Sequence, residues 1–90
     1  MKLSRTGISG SLESNDALVT AGPAASEGRT ISVESVVEKQ FGEEIRRLVA
    51  ETLDALGVAG CTVSVQDRGA LDFTLRARVE TAVRRAGREA

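Results

Sequence analysis

The stretch Gly57-Val58-Ala59-Gly60-Cys61-Thr62-Val63-Ser64-Val65-Gln66-Asp67-Arg68-Gly69-Ala70-Leu71-Asp72 decides the fold. In its middle, Cys61, Val63 and Val65 alternate with Thr62, Ser64 and Gln66, the pattern of a strand over 61–66 with one buried side. Gly57 stands where a left-handed residue closes a helix. Asp67-Arg68-Gly69 turns the chain after the strand. Upstream, Ile45, Leu48, Val49, Leu53 and Leu56 recur at spacings of three and four, with Arg46, Arg47, Glu51 and Asp54 on the other faces, which predicts a helix over 42–56. Gly42 is placed just outside its hydrogen-bonded body, because an interior glycine costs about 1 kcal/mol. Glu43 and Glu44 then fall in the first turn, where carboxylates complement the helix dipole. Downstream, Leu71, Leu75, Val79 and Val83 are in phase for a second helix over 70–86, whose charged end from Arg84 is expected to fray.

Farther from this stretch the signals weaken. Arg29 to Glu38 reads two ways: Ser35-Val36-Val37-Glu38 has the form of a capping box, while Ile31, Val33 and Val37 alternate through a β-branched run. The strand reading is preferred over 30–37, followed by a Glu38-Lys39-Gln40 turn. Residues 21–28 hold the only proline and little to bury, and read as a flexible loop. Before it, strand-like stretches at about 7–12 and 17–21 flank Glu13-Ser14-Asn15-Asp16, a hairpin over 7–21 with Ser14 at or near its tip. Its main apolar side chains are Ile8, Leu12, Leu18 and Val19. The expected architecture is one α+β domain over 1–90, an N-terminal β-hairpin plus further strands in a small, mostly antiparallel sheet with two helices packed on one face.

Composition narrows the function. A chain of 90 residues encloses one small core and has little left to wall a deep active site. There is no His, hence no common neutral-pH base or metal ligand, and one Cys makes neither an internal disulfide nor a thiolate metal site. Two aromatics and a formal charge of −1 give no electrostatic or stacking case for nucleic acid. No apolar run suits a membrane span or a signal peptide, and a lone Cys fits a reducing, cytoplasmic setting. No catalytic residue and no metal ligand is assigned.

The chemistry-bearing candidates mostly favour structural roles. Cys61 falls on the apolar face of its strand, where a free thiol packs as a small hydrophobe. Asp67 and Asp72 flank a turn; an acid–base pair is weighed against a turn cap and a helix first turn, and the structural roles are preferred. Arg76, Arg78, Arg84, Arg85 and Arg88 make the last helix basic, but they point in several directions and Glu80 precedes Arg84 by four, so solvated surface or a protein-docking face is preferred to RNA binding. Ser14 differs. Its hydroxyl is a poor nucleophile without a base, so any chemistry there must be activated by another protein, which describes a modification site.

Gly10-Ser11-Leu12-Glu13-Ser14-Asn15-Asp16 resembles the Gly-x-Leu-Glu-Ser-x-Asp segment of the citrate lyase acyl carrier proteins, the gamma subunits. Ser35-Val36-Val37-Glu38-Lys39-Gln40-Phe41-Gly42, Asp67-Arg68-Gly69-Ala70-Leu71-Asp72 and Leu75-Arg76-Ala77-Arg78-Val79-Glu80 are similar to further blocks of that family, in the same order. The departures are Asn15 where Gly is frequent, an extra valine after Ser35 and a short C-terminal tail. The resemblance implies a covalent phosphoribosyl-dephospho-coenzyme A group joined to Ser14 through a phosphodiester and installed by a transferase. It implies alpha and beta subunits as partners, the first exchanging acetyl for citryl on the arm, the second releasing oxaloacetate. Neither nucleic acid nor membrane is an expected partner. The alternatives are the carrier subunit of malonate decarboxylase, which bears the same kind of group, and a non-enzymatic module that binds RNA or protein.

Overall fold

A computed structural model describes residues 1–35 and 39–88, with backbone alone at 39 and 40. The elements run β1 (Gly7–Gly10), β2 (Ala17–Gly22), β3 (Arg29–Ser35), α1 (Lys39–Ala55), β4 (Cys61–Asp67) and α2 (Asp72–Gly87). The strands form one sheet in the order β1-β2-β4-β3. β1 with β2 and β2 with β4 are antiparallel, while β3 and β4, joined through α1, are parallel. The fold class is therefore α+β on a mixed, mostly antiparallel sheet.

The alternation in β4 sets the core. Cys61, Val63 and Val65 are buried, and register places Val65 beside Val19 and Val33, and Val63 beside Ala21 and Ile31. Both helices lie over this face, α2 on β1 and β2, α1 on β3 and against α2. Leu48, Val49 and Leu53 of α1 and Leu75, Val79 and Val83 of α2 fill the layer between. Each fully buried Val or Leu contributes about 1.5–3 kcal/mol. At the end of α1, Gly57 takes φ +69°, the Val58 amide donates to the Leu53 carbonyl at 3.0 Å and the Gly57 amide to Asp54 at 3.1 Å, a Schellman closure. None of the helices among the described residues is long and apolar enough to cross a membrane.

Several sequence expectations shift. α1 is described from Lys39 onward, so Gly42 lies inside the helix despite the glycine penalty, one turn before the buried Ile45. β3 is described as far as Ser35, which pairs with Asp67 at the end of β4; residues 36–38 of the expected strand, capping box and turn lie outside the described residues. α2 begins at Asp72 rather than Ala70. The Asp67 carboxylate accepts from the Ala70 amide at 3.0 Å and holds the turn open until Leu71, which is extended and exposed instead of in the helical phase. Its end, expected to fray from Arg84, is tied as far as Arg88: the Ala86 carbonyl accepts from the Ser4 and Arg5 amides at 2.9 and 3.1 Å, and the Arg5 guanidinium donates to the Arg88 carbonyl at 2.8 Å, while residues 89–90 lie outside the described residues. β2 also runs on through Ala21 and Gly22, which shortens the connection to Pro23–Gly28.

The hairpin packs differently from its apolar pattern. Ile8 and Leu12 are half exposed, and the inward positions are Gly7, Ser9, Ala17, Val19 and Ala21. The small residues let α2 come close. A Cβ on Gly7 would lie 2.1 Å from the Ala82 carbonyl oxygen.

Candidate functional site

Ser14 stands in the connection between β1 and β2, exposed, in a turn closed by the Asp16 amide donating to the Glu13 carbonyl at 3.2 Å. Asn15 takes φ +68°, a left-handed angle that asparagine tolerates better than most residues. The Ser14 hydroxyl makes no hydrogen bond to any described residue.

Everything beside Ser14 is tied down. The Asp16 carboxylate accepts from Arg78 at 2.8 and 3.1 Å, from the Ser11 hydroxyl at 2.7 Å and from the Ala17 amide at 2.7 Å. Paired guanidinium and carboxylate planes of this kind fix orientation as well as distance. The Arg78 guanidinium, helped by the Ser11 hydroxyl, holds the Asp16 carboxyl well below the usual carboxylate range. On the other side, the Asn15 amide donates to the Arg68 carbonyl at 2.8 Å, and the Arg68 amide donates to the Asp16 carbonyl at 2.9 Å. Asp67, buried just below, accepts from Ser35 at 2.9 Å. Arg68 and Arg78, from different motif blocks, thus meet on the turn of the first block, and Ser35 of another block is bonded to Asp67 next to Arg68.

Asp67 serves as a turn cap, engaged by Ser35 and Ala70, and Asp72 is exposed in the first turn of α2. Cys61 is fully buried, and burial pushes its thiol up, away from reactivity. The arginines of α2 do not form an open cationic stripe: Arg78 is held by Asp16, Arg84 pairs with Glu80 at 3.0 Å, and Arg85 donates to the Ile8 carbonyl at 2.5 Å. Sequence reasoning placed Ser14 in an exposed turn, as the structure has it, and missed the brace of that turn. Asp16 and Arg78 are 62 residues apart, and the signal was only that both stand in motif blocks.

The family model described as the malonate decarboxylase delta subunit (MdcD) matches residues 4–86. The citrate lyase acyl carrier protein of Streptococcus mutans serotype c is 50% identical over 86 residues, spanning 96% of this chain and 84% of that protein. Citrate lyase acyl carrier protein 2 of Salmonella typhimurium is 44% identical over 89 residues, spanning 99% and 92%. The citrate lyase acyl carrier protein of Halothermothrix orenii is 39% identical over 90 residues, spanning 100% and 95%. Among solved structures, a chain of a Pseudomonas malonate decarboxylase hetero-tetramer in complex with malonate matches with a TM-score of 0.70 at 20% identity, covering 93% of this chain and 90% of that one. At that identity the likeness is one of fold.

Proposed function

This chain belongs to the citrate lyase acyl carrier protein family, and from that premise we propose that Ser14 is the attachment point of a phosphoribosyl-dephospho-coenzyme A arm. The observation that carries the reading is the exposed, unengaged hydroxyl of Ser14 in a turn braced on both sides by Arg78 and Arg68. Such a group fits the residues present, since the hydroxyl faces open solvent and nothing beside it must move. When bound, the arm supplies a terminal thiol on which acetyl and citryl groups pass between an alpha subunit that exchanges them and a beta subunit that releases oxaloacetate.

The chain's own residues hold the anchor still. Asp16, clamped by Arg78, fixes the turn against α2, and the Asn15 and Arg68 amides fix it against the end of β4. A fixed tether keeps the carried group near the partner sites, raising its local concentration over that of a free thioester. The buried Cys61 takes no part, and the carrier itself catalyses neither step. We place this work in the cytoplasm, where a lone thiol stays reduced.

A second reading has its own support: the malonate decarboxylase delta-subunit model also matches, and that chemistry would use the same serine. Intact mass of the chain purified from its native host, grown on citrate, tests the site. An adduct is expected on the wild type and none on Ser14→Ala, whose fold is unchanged. An adduct that survives Ser14→Ala overturns the assignment. Acetyl and citryl exchange by the loaded chain, against malonyl transfer, separates the two carrier readings.

A further inference from the structure

The chain has two phenylalanines, and the fold buries neither. Phe41 is 43% exposed and Phe73 68%, with Leu71 beside them at 61%. All three rim one groove of about 560 Å³, floored by the buried Ile45 and Leu75. Single exposed apolar side chains are ordinary, but a contiguous set around a concavity marks a contact surface. Among the described residues, the charged groups that line the groove are carboxylates: Asp67, already spent on Ser35 and Ala70, and the exposed Glu44 and Asp72, which pair with no described residue.

That combination selects an occupant. A citryl group is itself anionic and would meet two carboxylates at the rim. A second copy of the chain, in a two-fold contact, would bring the same carboxylates against each other. A protein segment with a large apolar side chain flanked by Lys or Arg gains from both the groove and its rim. Position points the same way. Gly69 lines the groove, a Cβ on it would sit 3.6 Å from the Asn15 Oδ1, and its neighbour Arg68 is bonded to the Asn15 amide. Whatever docks here stands close to Asn15, the residue after Ser14.

We propose that this groove is the docking site for the catalytic subunits, taking an apolar side chain flanked by basic residues. The inference rests on the carrier reading above. The test uses the full chain, loaded in its native host, with purified catalytic subunits. Phe73→Asp is compared with wild type for adduct mass, urea midpoint and affinity. Phe73→Asp is expected to keep the adduct and the fold and to weaken binding about tenfold or more. Reversing the rim with Glu44→Lys and Asp72→Lys together weakens binding at low salt and less at high salt. Binding by both variants within about twofold of wild type overturns the proposal. So does unchanged binding with faster thioester hydrolysis in Phe73→Asp, which gives the groove to the arm, or with loss of a homodimer in sedimentation, which gives it to a second copy. If the wild type carries no adduct, the carrier reading fails by itself, and direct binding of the unmodified chain still reads the groove.

Discussion

The turn 11–16 and the connection Pro23–Gly28 are each six residues long, largely exposed, and built mostly of small or polar side chains. They are held quite differently. In the first, one carboxylate, Asp16, gathers Arg78, Ser11 and the Ala17 amide, and two backbone bonds tie the turn to Arg68. In the second, no side chain of residues 23–27 hydrogen-bonds to any described residue, and the backbone tie is the Cys61 amide donating to the Gly28 carbonyl at 3.3 Å. Exposure and polarity therefore say little about how firmly a loop is positioned; its partners decide. Ser14 stands on the braced loop.

The largest expected difference comes from two glycines with nearly the same backbone angle, Gly10 at φ +91° entering the turn and Gly28 at φ +84° leaving the connection. A side chain at either meets the left-handed penalty of about 1–2 kcal/mol. At Gly10 a Cβ would also lie 1.8 Å from the Ala17 carbonyl oxygen, whereas at Gly28 nothing lies within 4 Å. Displacing backbone adds about 1–3 kcal/mol. Gly10→Ala should therefore lower the unfolding free energy by about 3 kcal/mol and Gly28→Ala by about 1 kcal/mol in urea titrations. Equal losses would break the contrast.

A smaller effect tests the clamp itself. Arg78 holds the Asp16 carboxyl below its ordinary range in the folded chain, so the pair stabilises the fold wherever the carboxylate is ionised in the unfolded chain too. That holds above about pH 4. Below it the unfolded chain takes up a proton that the folded chain resists, and the stabilisation drains away as pH falls through the lowered folded value. Wild type is expected to exceed Asp16→Asn in urea midpoint by a larger margin at pH 7 than at pH 3. The margin stays below the Gly10 effect because the guanidinium is partly solvated and screened. A margin equal at both pH values would show that the carboxylate acts by shape and not by charge.

The sequence carries these regions unequally. Periodicity located α1, β4 and α2, since Leu53, Val63 and Val79 sit on faces buried all along their elements. It gave no inward face for the hairpin, where apolar Ile8 and Leu12 face solvent and Gly7, Ala17 and Ala21 pack inward. There the close approach of α2 chooses size over apolarity, a tertiary constraint no local window contains. Helix starts failed too: α1 runs through Gly42, and the Asp67 cap delays α2. The Ser14 turn was legible from Asn15-Asp16, but its brace was not, because a pairing between residues 16 and 78 has no signature until the fold brings them together.

The smallest expected effect lies on the unbraced side. Gly22 pairs with Thr62 and Arg29 with Cys61, so Pro23–Gly28 joins strands on either side of β4. Two inter-strand spacings separate its ends, roughly 10 Å, while six residues reach about 20 Å when extended. The connection is slack, and both ends are fixed by the sheet, with Arg29 further held by the Val58 carbonyl at 3.0 Å and by Asp54 at 2.8 Å. Two glycines inserted between Ala25 and Ser26 add only loop-closure entropy, about 0.3 kcal/mol. The urea midpoint should barely move, and the adduct proposed on Ser14 should form at the wild-type rate in a mass time course. A loss near that of Gly28→Ala, or slowed modification, would mean that Pro23–Gly28 is seated as firmly as the turn 11–16, and that the partners of a loop are not what separates the two.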